Sequence, residues 1–178
     1  FKYFSQLLFD GAIGIGGEES AGASFLKKDG TVWTTDKDGM IMALLSMEIM
    51  AVMGKSALKM ADEFVEEFGN PSFGRIDAPC KKEQKQILKQ MSAELITATT
   101  VDGDPIMNIR TTSLYNDMPI DGVRVETDKG WFVARPSGTE DLYKIYGESY
   151  KGDLGLVALL TAGEEIVNAA LNGTIETE

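Results

Sequence analysis

Val123 to Ser149 reads VRVETDKGWFVARPSGTEDLYKIYGES, and the architecture of the C-terminal half follows from it. Val123 to Thr127 and Trp131 to Ala134 are rich in strand formers, and Asp128-Lys129-Gly130 between them supplies a hairpin turn. Leu142 to Ser149 predicts a further strand. Working outward, Leu95 to Thr100 and Ile106 to Thr112 share this β texture, and Phe73 to Ala78 reads as a connecting strand. Leu154 to Leu171 predicts a closing amphipathic helix, and Pro79 opens a shorter one over about Lys81 to Met91.

Upstream the texture differs. Phe1 to Phe9 carries apolar residues at helical spacing and ends at the Asp10-Gly11 break. Ala12 to Ile15 is β-compatible and leads into the polar loop Gly17-Glu18-Glu19-Ser20-Ala21-Gly22. After a turn at Lys28-Asp29-Gly30, Thr31 to Thr35 favours extended chain. Asp36 or Asp38 then caps a helix that runs to about Gly54, and its apolar run Met40 to Met53 reads as buried. Ser56 caps a second helix, which stops at Gly69-Asn70-Pro71. The predicted organisation is an α/β part over residues 1–72, then a connecting segment and an α+β part over residues 73–178, with an antiparallel sheet and packed helices.

Composition removes several functions. The chain has 17 Lys+Arg against 28 Asp+Glu, a net charge of -11, which makes it a poor candidate for non-specific binding of nucleic acid or an anionic membrane, both of which need a basic face. It has no histidine, which excludes a Ser-His-Asp or Cys-His mechanism and His-bound zinc from these residues. The single cysteine, Cys80, cannot form an internal disulfide and fits a reducing compartment. No stretch reads as a secretory signal or a membrane span. The chain begins at Phe1, which suggests processing or a longer parent.

Several motif matches fail on a single position. Gly54-Lys55-Ser56 resembles the end of a Walker A loop, but Ile49 stands where the first glycine is needed. Gly14-x-Gly16 lacks the third glycine of a dinucleotide fingerprint, because Glu19 occupies it. Asp102-Gly103-Asp104 would need an acid at Ser113 to act as a calcium loop, and reads as an acidic turn instead. Lys81, Lys82, Lys85 and Lys89 read as a solvated helix face.

Two segments retain chemical content. In Gly17 to Gly22, glycines flank two carboxylates and a hydroxyl, the acceptors and donors that vicinal sugar hydroxyls need; an ordinary surface turn is the alternative. In Arg135-Pro136-Ser137-Gly138-Thr139-Glu140-Asp141, an arginine at a strand end presents a fork suited to phosphate oxygens. Ser137 and Thr139 add hydroxyls, Gly138 lets the backbone turn, successive amides can form an anion nest, and Lys144 could bring a second positive charge. Glu140 and Asp141 oppose an anion unless they point away, so a salt-bridged turn is the competing reading.

Both segments resemble loops of the α-D-phosphohexomutases, the first their sugar-binding loop and the second their C-terminal phosphate loop. Thr35-Asp36-Lys37-Asp38-Gly39 and Arg75-Ile76-Asp77-Ala78-Pro79 resemble the intervening sequence of the bacterial phosphoglucomutase branch, so the likeness covers nearly the whole chain in order. The resemblance implies a cytoplasmic four-domain enzyme interconverting glucose 1-phosphate and glucose 6-phosphate through a phosphoserine, Mg²⁺ and glucose 1,6-bisphosphate. It implies that Glu18 and Ser20 contact sugar hydroxyls and that Lys37 lies near sugar and phosphate. Arg135, Ser137, Gly138 and Thr139 would hold the distal phosphate, with Lys144 as a further basic contact. Glu19 fits a glucose-type loop.

The family's phosphoserine loop and Asp-x-Asp-x-Asp metal loop are absent from this sequence. The chain therefore resembles the end of the third, mixed-sheet domain followed by the fourth. It is expected to lack turnover alone, to bind no metal, and to partner the missing N-terminal domains; an exposed sheet edge could also drive dimerisation. A non-catalytic phosphosugar- or anion-binding module is the alternative.

Overall fold

The computed structural model describes residues 1–18, 22–114 and 117–173. Its order is α1 (Lys2–Phe9), β1 (Ile15–Gly17), β2 (Ala23–Phe25), α2 (Gly39–Met53), α3 (Ala57–Phe68), β3 (Ser72–Pro79), α4 (Lys82–Lys89), β4 (Thr100–Val101), β5 (Asp104–Thr112), β6 (Pro119–Thr127), β7 (Gly130–Pro136), β8 (Leu142–Ser149) and α5 (Gly152–Asn172). The chain divides into two compact units, Phe1–Glu67 and Phe68–Glu178. The class is mixed α/β with antiparallel sheets.

In the first unit, α1 ends as read, but Ala12 and Ile13 do not extend a strand. Their amides donate back to Leu7 O at 2.8 and 3.4 Å and close the helix, leaving β1 to start at Ile15. β1 pairs antiparallel with β2, Ile15 opposite Phe25 and Gly17 opposite Ala23. The expected extended run Thr31 to Thr35 reduces to a single bridge between Leu26 and Val32. Asp38 caps α2, its carboxylate accepting from the amides of Met40 and Ile41, and Gly54 ends it with a φ of 65°. The Ser56 hydroxyl accepts from Lys59 N at 3.2 Å at the start of α3.

The expectation of a buried Met40–Met53 helix is corrected: among the described residues none of α2 or α3 is buried. Met40, Val52 and Leu58 are 81%, 77% and 73% exposed. An apolar helix needs an apolar surface to cover it, and the small β1–β2 ladder does not cover α2.

The second unit is a six-stranded antiparallel sheet in the order β3-β8-β7-β6-β5-β4. Strict alternation sends Phe132, Ala134, Tyr143 and Ile145 to one face, where they join Leu159 and Val167 of α5 and Leu88 of α4 in the core. The other face carries charged and aromatic residues. There the Arg124 guanidinium lies 4.2 Å from the Trp131 ring centre, and that of Arg75 lies 5.9 Å from Tyr146.

Two boundaries differ from the sequence reading. Pro79 ends β3 opposite Leu142 rather than opening a helix, and α4 begins at Lys82. Leu95 to Thr100 is not a strand: Ala93–Leu95 forms a 3-10 turn, Ile96 enters the core, and pairing begins at Thr100. The acidic Asp102-Gly103 turn joins β4 to β5, and Lys151 neutralises it, with its ammonium 2.8 Å from Asp102 Oδ2 and 3.3 Å from Asp104 Oδ2.

By length and composition α5 could cross a bilayer, which corrects the expectation that no stretch would qualify. In the fold its Leu159, Gly163 and Val167 stripe is buried on the sheet. Gly163 permits that approach, since a Cβ there would lie 2.8 Å from Ile145 Cγ2 and 3.2 Å from Phe132 Cδ2. Gly163→Ala gains about 1 kcal/mol of helix propensity but overpacks the core by about 1–3 kcal/mol. The expected net result is destabilisation, read as a lower urea midpoint; a raised midpoint would show that α5 can shift outward freely.

Candidate functional site

The Ser137–Asp141 loop joins β7 to β8. Antiparallel pairing places Arg135 directly opposite Lys144, and Lys144 opposite Asp77 on β3. Like charges facing across a ladder destabilise it unless something neutralises them. Lys144 is neutralised from within: its ammonium sits 2.6 Å from Glu140 Oε2, and this contact raises the Lys144 pKa and lowers that of Glu140. Arg135 is exposed, and among the described residues its guanidinium has no hydrogen-bond or ion-pair partner.

Within the loop, the Ser137 amide donates to Leu142 O at 2.8 Å and closes the turn. The Glu140 amide donates to Ser137 Oγ at 3.2 Å. Gly138 and Thr139 are exposed, and among the described residues their amides have no acceptor. Gly138 does not adopt the left-handed conformation, and a Cβ there would meet no protein atom within 4 Å. The turn therefore does not require glycine at that position, contrary to the sequence reading. Arg135, Ser137, Gly138, Thr139 and Lys144 thus gather on one hairpin, with Glu140 occupying Lys144.

Sequence reasoning missed Lys85. Its side chain is only 14% exposed, although the pattern suggested a solvated face. Its ammonium donates to Glu140 O at 2.5 Å and to Asp141 Oδ1 at 3.0 Å, while the Cys80 amide donates to Asp141 O at 3.0 Å. These contacts turn Asp141 to the α4 side of the loop, away from Lys144. Burial raises the Cys80 thiol pKa, which makes it a poor nucleophile. Partners 55 and 56 residues apart leave no local signal in the sequence.

In the first unit, a lattice of contacts holds residues 33–38 against β2. Trp33 N donates to Phe25 O at 2.9 Å, Asp38 N to Ala23 O at 3.0 Å, and Ser24 Oγ to Thr34 O at 2.5 Å. Lys37 consequently meets Glu18, with its ammonium 2.7 Å from Oε2. Gly22 leaves room for this, since a Cβ there would lie 2.6 Å from Lys37 Cδ. Lys37, the largest cause, lowers the Glu18 pKa below its ordinary value of 4.5. The structure thus brings together Glu18 and Lys37, whereas Ser20, like Glu19, lies outside the described residues. No cluster of three or more His, Cys, Asp or Glu suited to a metal ion occurs among the described residues.

Comparison with known proteins gives these loops a context. Residues 1–68 match the model of phosphoglucomutase/phosphomannomutase alpha/beta/alpha domain III, and residues 76–155 match that family's C-terminal domain. A phosphoglucomutase of Komagataeibacter xylinus is 46% identical over 169 residues, which is 95% of this chain and 30% of that protein. A probable phosphoglucosamine mutase of Pyrococcus abyssi is 25% identical over 158 residues, 89% of this chain and 30% of its own length. Solved structures share the fold. A phosphoglucomutase/phosphomannomutase family protein of Burkholderia thailandensis aligns with a TM-score of 0.61 at 22% identity, covering 95% of this chain and 31% of that one. The Paramecium phosphoprotein pp63/parafusin aligns at 0.63 and 21%, covering 98% and 34%. The chain spans about 30% of the length of the curated relatives it matches. Two consecutive domain matches in the family's order, together with the 46% identity, make this chain a member of the phosphoglucomutase/phosphomannomutase family, corresponding to its third and C-terminal domains.

Proposed function

We propose that this chain is the substrate-recognition half of a cytoplasmic phosphoglucomutase that interconverts glucose 1-phosphate and glucose 6-phosphate. The observation that carries the reading is that one hairpin loop bears both the unengaged Arg135 guanidinium and the open amides of Gly138 and Thr139. A phosphate dianion entering there meets a fork donor, two amides and the Ser137 and Thr139 hydroxyls. It also competes with Glu140 for Lys144, which relieves the like-charge pair across β7 and β8.

Phosphoryl transfer depends mainly on positioning and charge neutralisation. A reversible mutase that works through glucose 1,6-bisphosphate must hold the sugar in two orientations, so the distal anion site must accept either phosphate. A guanidinium with backbone amides does so, because it reads charge and geometry rather than the carbon that bears the phosphate. Glu18 and Ser20 supply hydroxyl contacts that exchange as the ring turns over, and Lys37 holds Glu18 ionised as an acceptor. The phosphoserine and Mg²⁺ belong to the domains that complete the enzyme, and turnover requires them.

Two outcomes follow. In the complete polypeptide, this chain preceded by the domains its relatives carry, Arg135→Ala should cost about 2–4 kcal/mol in kcat/KM for glucose 1-phosphate. The 178-residue chain assayed beside it should show no mutase turnover. An unchanged kcat/KM removes Arg135 from the phosphate site. The second concerns Glu18. Its depressed pKa means that the stabilisation from its ion pair with Lys37 is present above 4.5 and is lost as pH falls through the lowered value. Lys37→Met should move the Glu18 titration, followed by carboxyl NMR, upward toward 4.5; an unmoved midpoint would mean that the Lys37 contact does not hold in solution.

A further inference from the structure

The Ser137–Asp141 loop is closed internally by its own hairpin and tied from outside by a lysine that the sequence presents as solvated. The geometry points to Lys85 as a positioning residue for phosphate binding: it fixes the loop backbone so that the Gly138 and Thr139 amides are preorganised for an anion. This rests on the reading of residues 135–141 as a phosphate loop.

Lys85 makes two contacts of unequal weight. Asp141 is 92% exposed, so its ion pair with Lys85 is screened by water. The contact to Glu140 O, at 2.5 Å, is different in kind. It joins a cation on a largely sheltered stem to a main-chain acceptor, and it pins the backbone at the residue whose side chain occupies Lys144. Cys80 N to Asp141 O holds the next peptide, so the C-terminal limb of the loop is fixed at two successive carbonyls. The N-terminal limb is fixed by Ser137 N to Leu142 O. Between these anchors stand Gly138 and Thr139, which, among the described residues, make no hydrogen bond of their own.

A loop held at both limbs and open in the middle loses little conformational freedom when an anion arrives. Without Lys85 the anion must order the C-terminal limb itself. That ordering is the same for bound substrate and transition state, so its loss weakens binding without slowing the bound complex. Lys85 lines the same cavity as Gly138 and Thr139, but Glu140 O and Asp141 Oδ1 take up its ammonium, so on this reading it acts through the loop.

The test is kinetic, in the complete polypeptide, with glucose 1-phosphate as substrate and with Lys85→Met, Lys85→Arg and Arg135→Ala compared. Lys85→Met should raise KM about tenfold and leave kcat within about twofold, the pattern of a lost uniform binding contribution. Lys85→Arg, which keeps a cationic donor, should recover most of the loss, and the urea unfolding midpoint should stay at the parent value. An unchanged KM in Lys85→Met beside a raised KM in Arg135→Ala overturns the positioning role and leaves the phosphate loop standing. An unchanged KM in both overturns the phosphate loop, and the role of Lys85 with it. A fall in kcat together with the unfolding midpoint, unrelieved by arginine, assigns Lys85 to folding alone and also overturns the inference.

Discussion

Antiparallel pairing of β7 with β8 forces Arg135 and Lys144 to face each other at the end of the hairpin. Two cations so placed repel, and the fold tolerates them because Glu140 folds back onto one of them. The other remains open to solvent. Everything proposed about the loop depends on this asymmetry: the sheet supplies a surplus of positive charge at a fixed point, and an internal carboxylate satisfies only part of it. The buried face of the same strands, with Phe132 and Ile145 fully sheltered beneath α5, makes that register rigid. A one-residue slip would turn Arg135 into the core, at a cost far above any surface interaction.

Much of this was legible in the sequence where a single residue type has a single physical use. Asp38 and Gly54 bound α2 because a carboxylate satisfies free amides and glycine adopts a positive φ. Asp128-Lys129-Gly130 defined the β6–β7 hairpin, and the order β7, loop, β8 followed from it. The failures have an equally physical origin. Leu95 to Thr100 contains strand formers, but a strand needs a partner, and the sheet edge offers one only to Thr100 and Val101. Met40 to Met53 declares what must be covered and not what covers it.

The site was legible in the same uneven way. Arg135, Ser137, Gly138 and Thr139 stand together in the sequence and remain together in the fold. Glu18 and Lys37 are 19 residues apart and meet because residues 33–38 are laced to β2. Glu140's hold on Lys144 is the salt-bridged turn that the sequence offered as the competing reading, whereas Lys85's hold on the loop backbone has no local signal. The first decides between two neighbouring cations, and the second joins elements separated by most of a sheet.

The exposed apolar faces of α2 and α3 carry a related lesson. The family match names an alpha/beta/alpha domain, while the described strands of this unit are two of three residues each, β1 and β2. A helix layer without a sheet of matching size leaves Met40, Val52 and Leu58 in water.

The central claim is that the β7–β8 hairpin, which carries a surplus of positive charge and two open loop amides, receives a phosphate dianion. The most direct measurement is a titration of the 178-residue chain with glucose 1,6-bisphosphate followed by amide NMR. Saturable movement of the Gly138 and Thr139 resonances, lost in Arg135→Ala, is the result expected. Resonances that stay in place as ligand is raised, in a chain whose core signals remain dispersed, would contradict it.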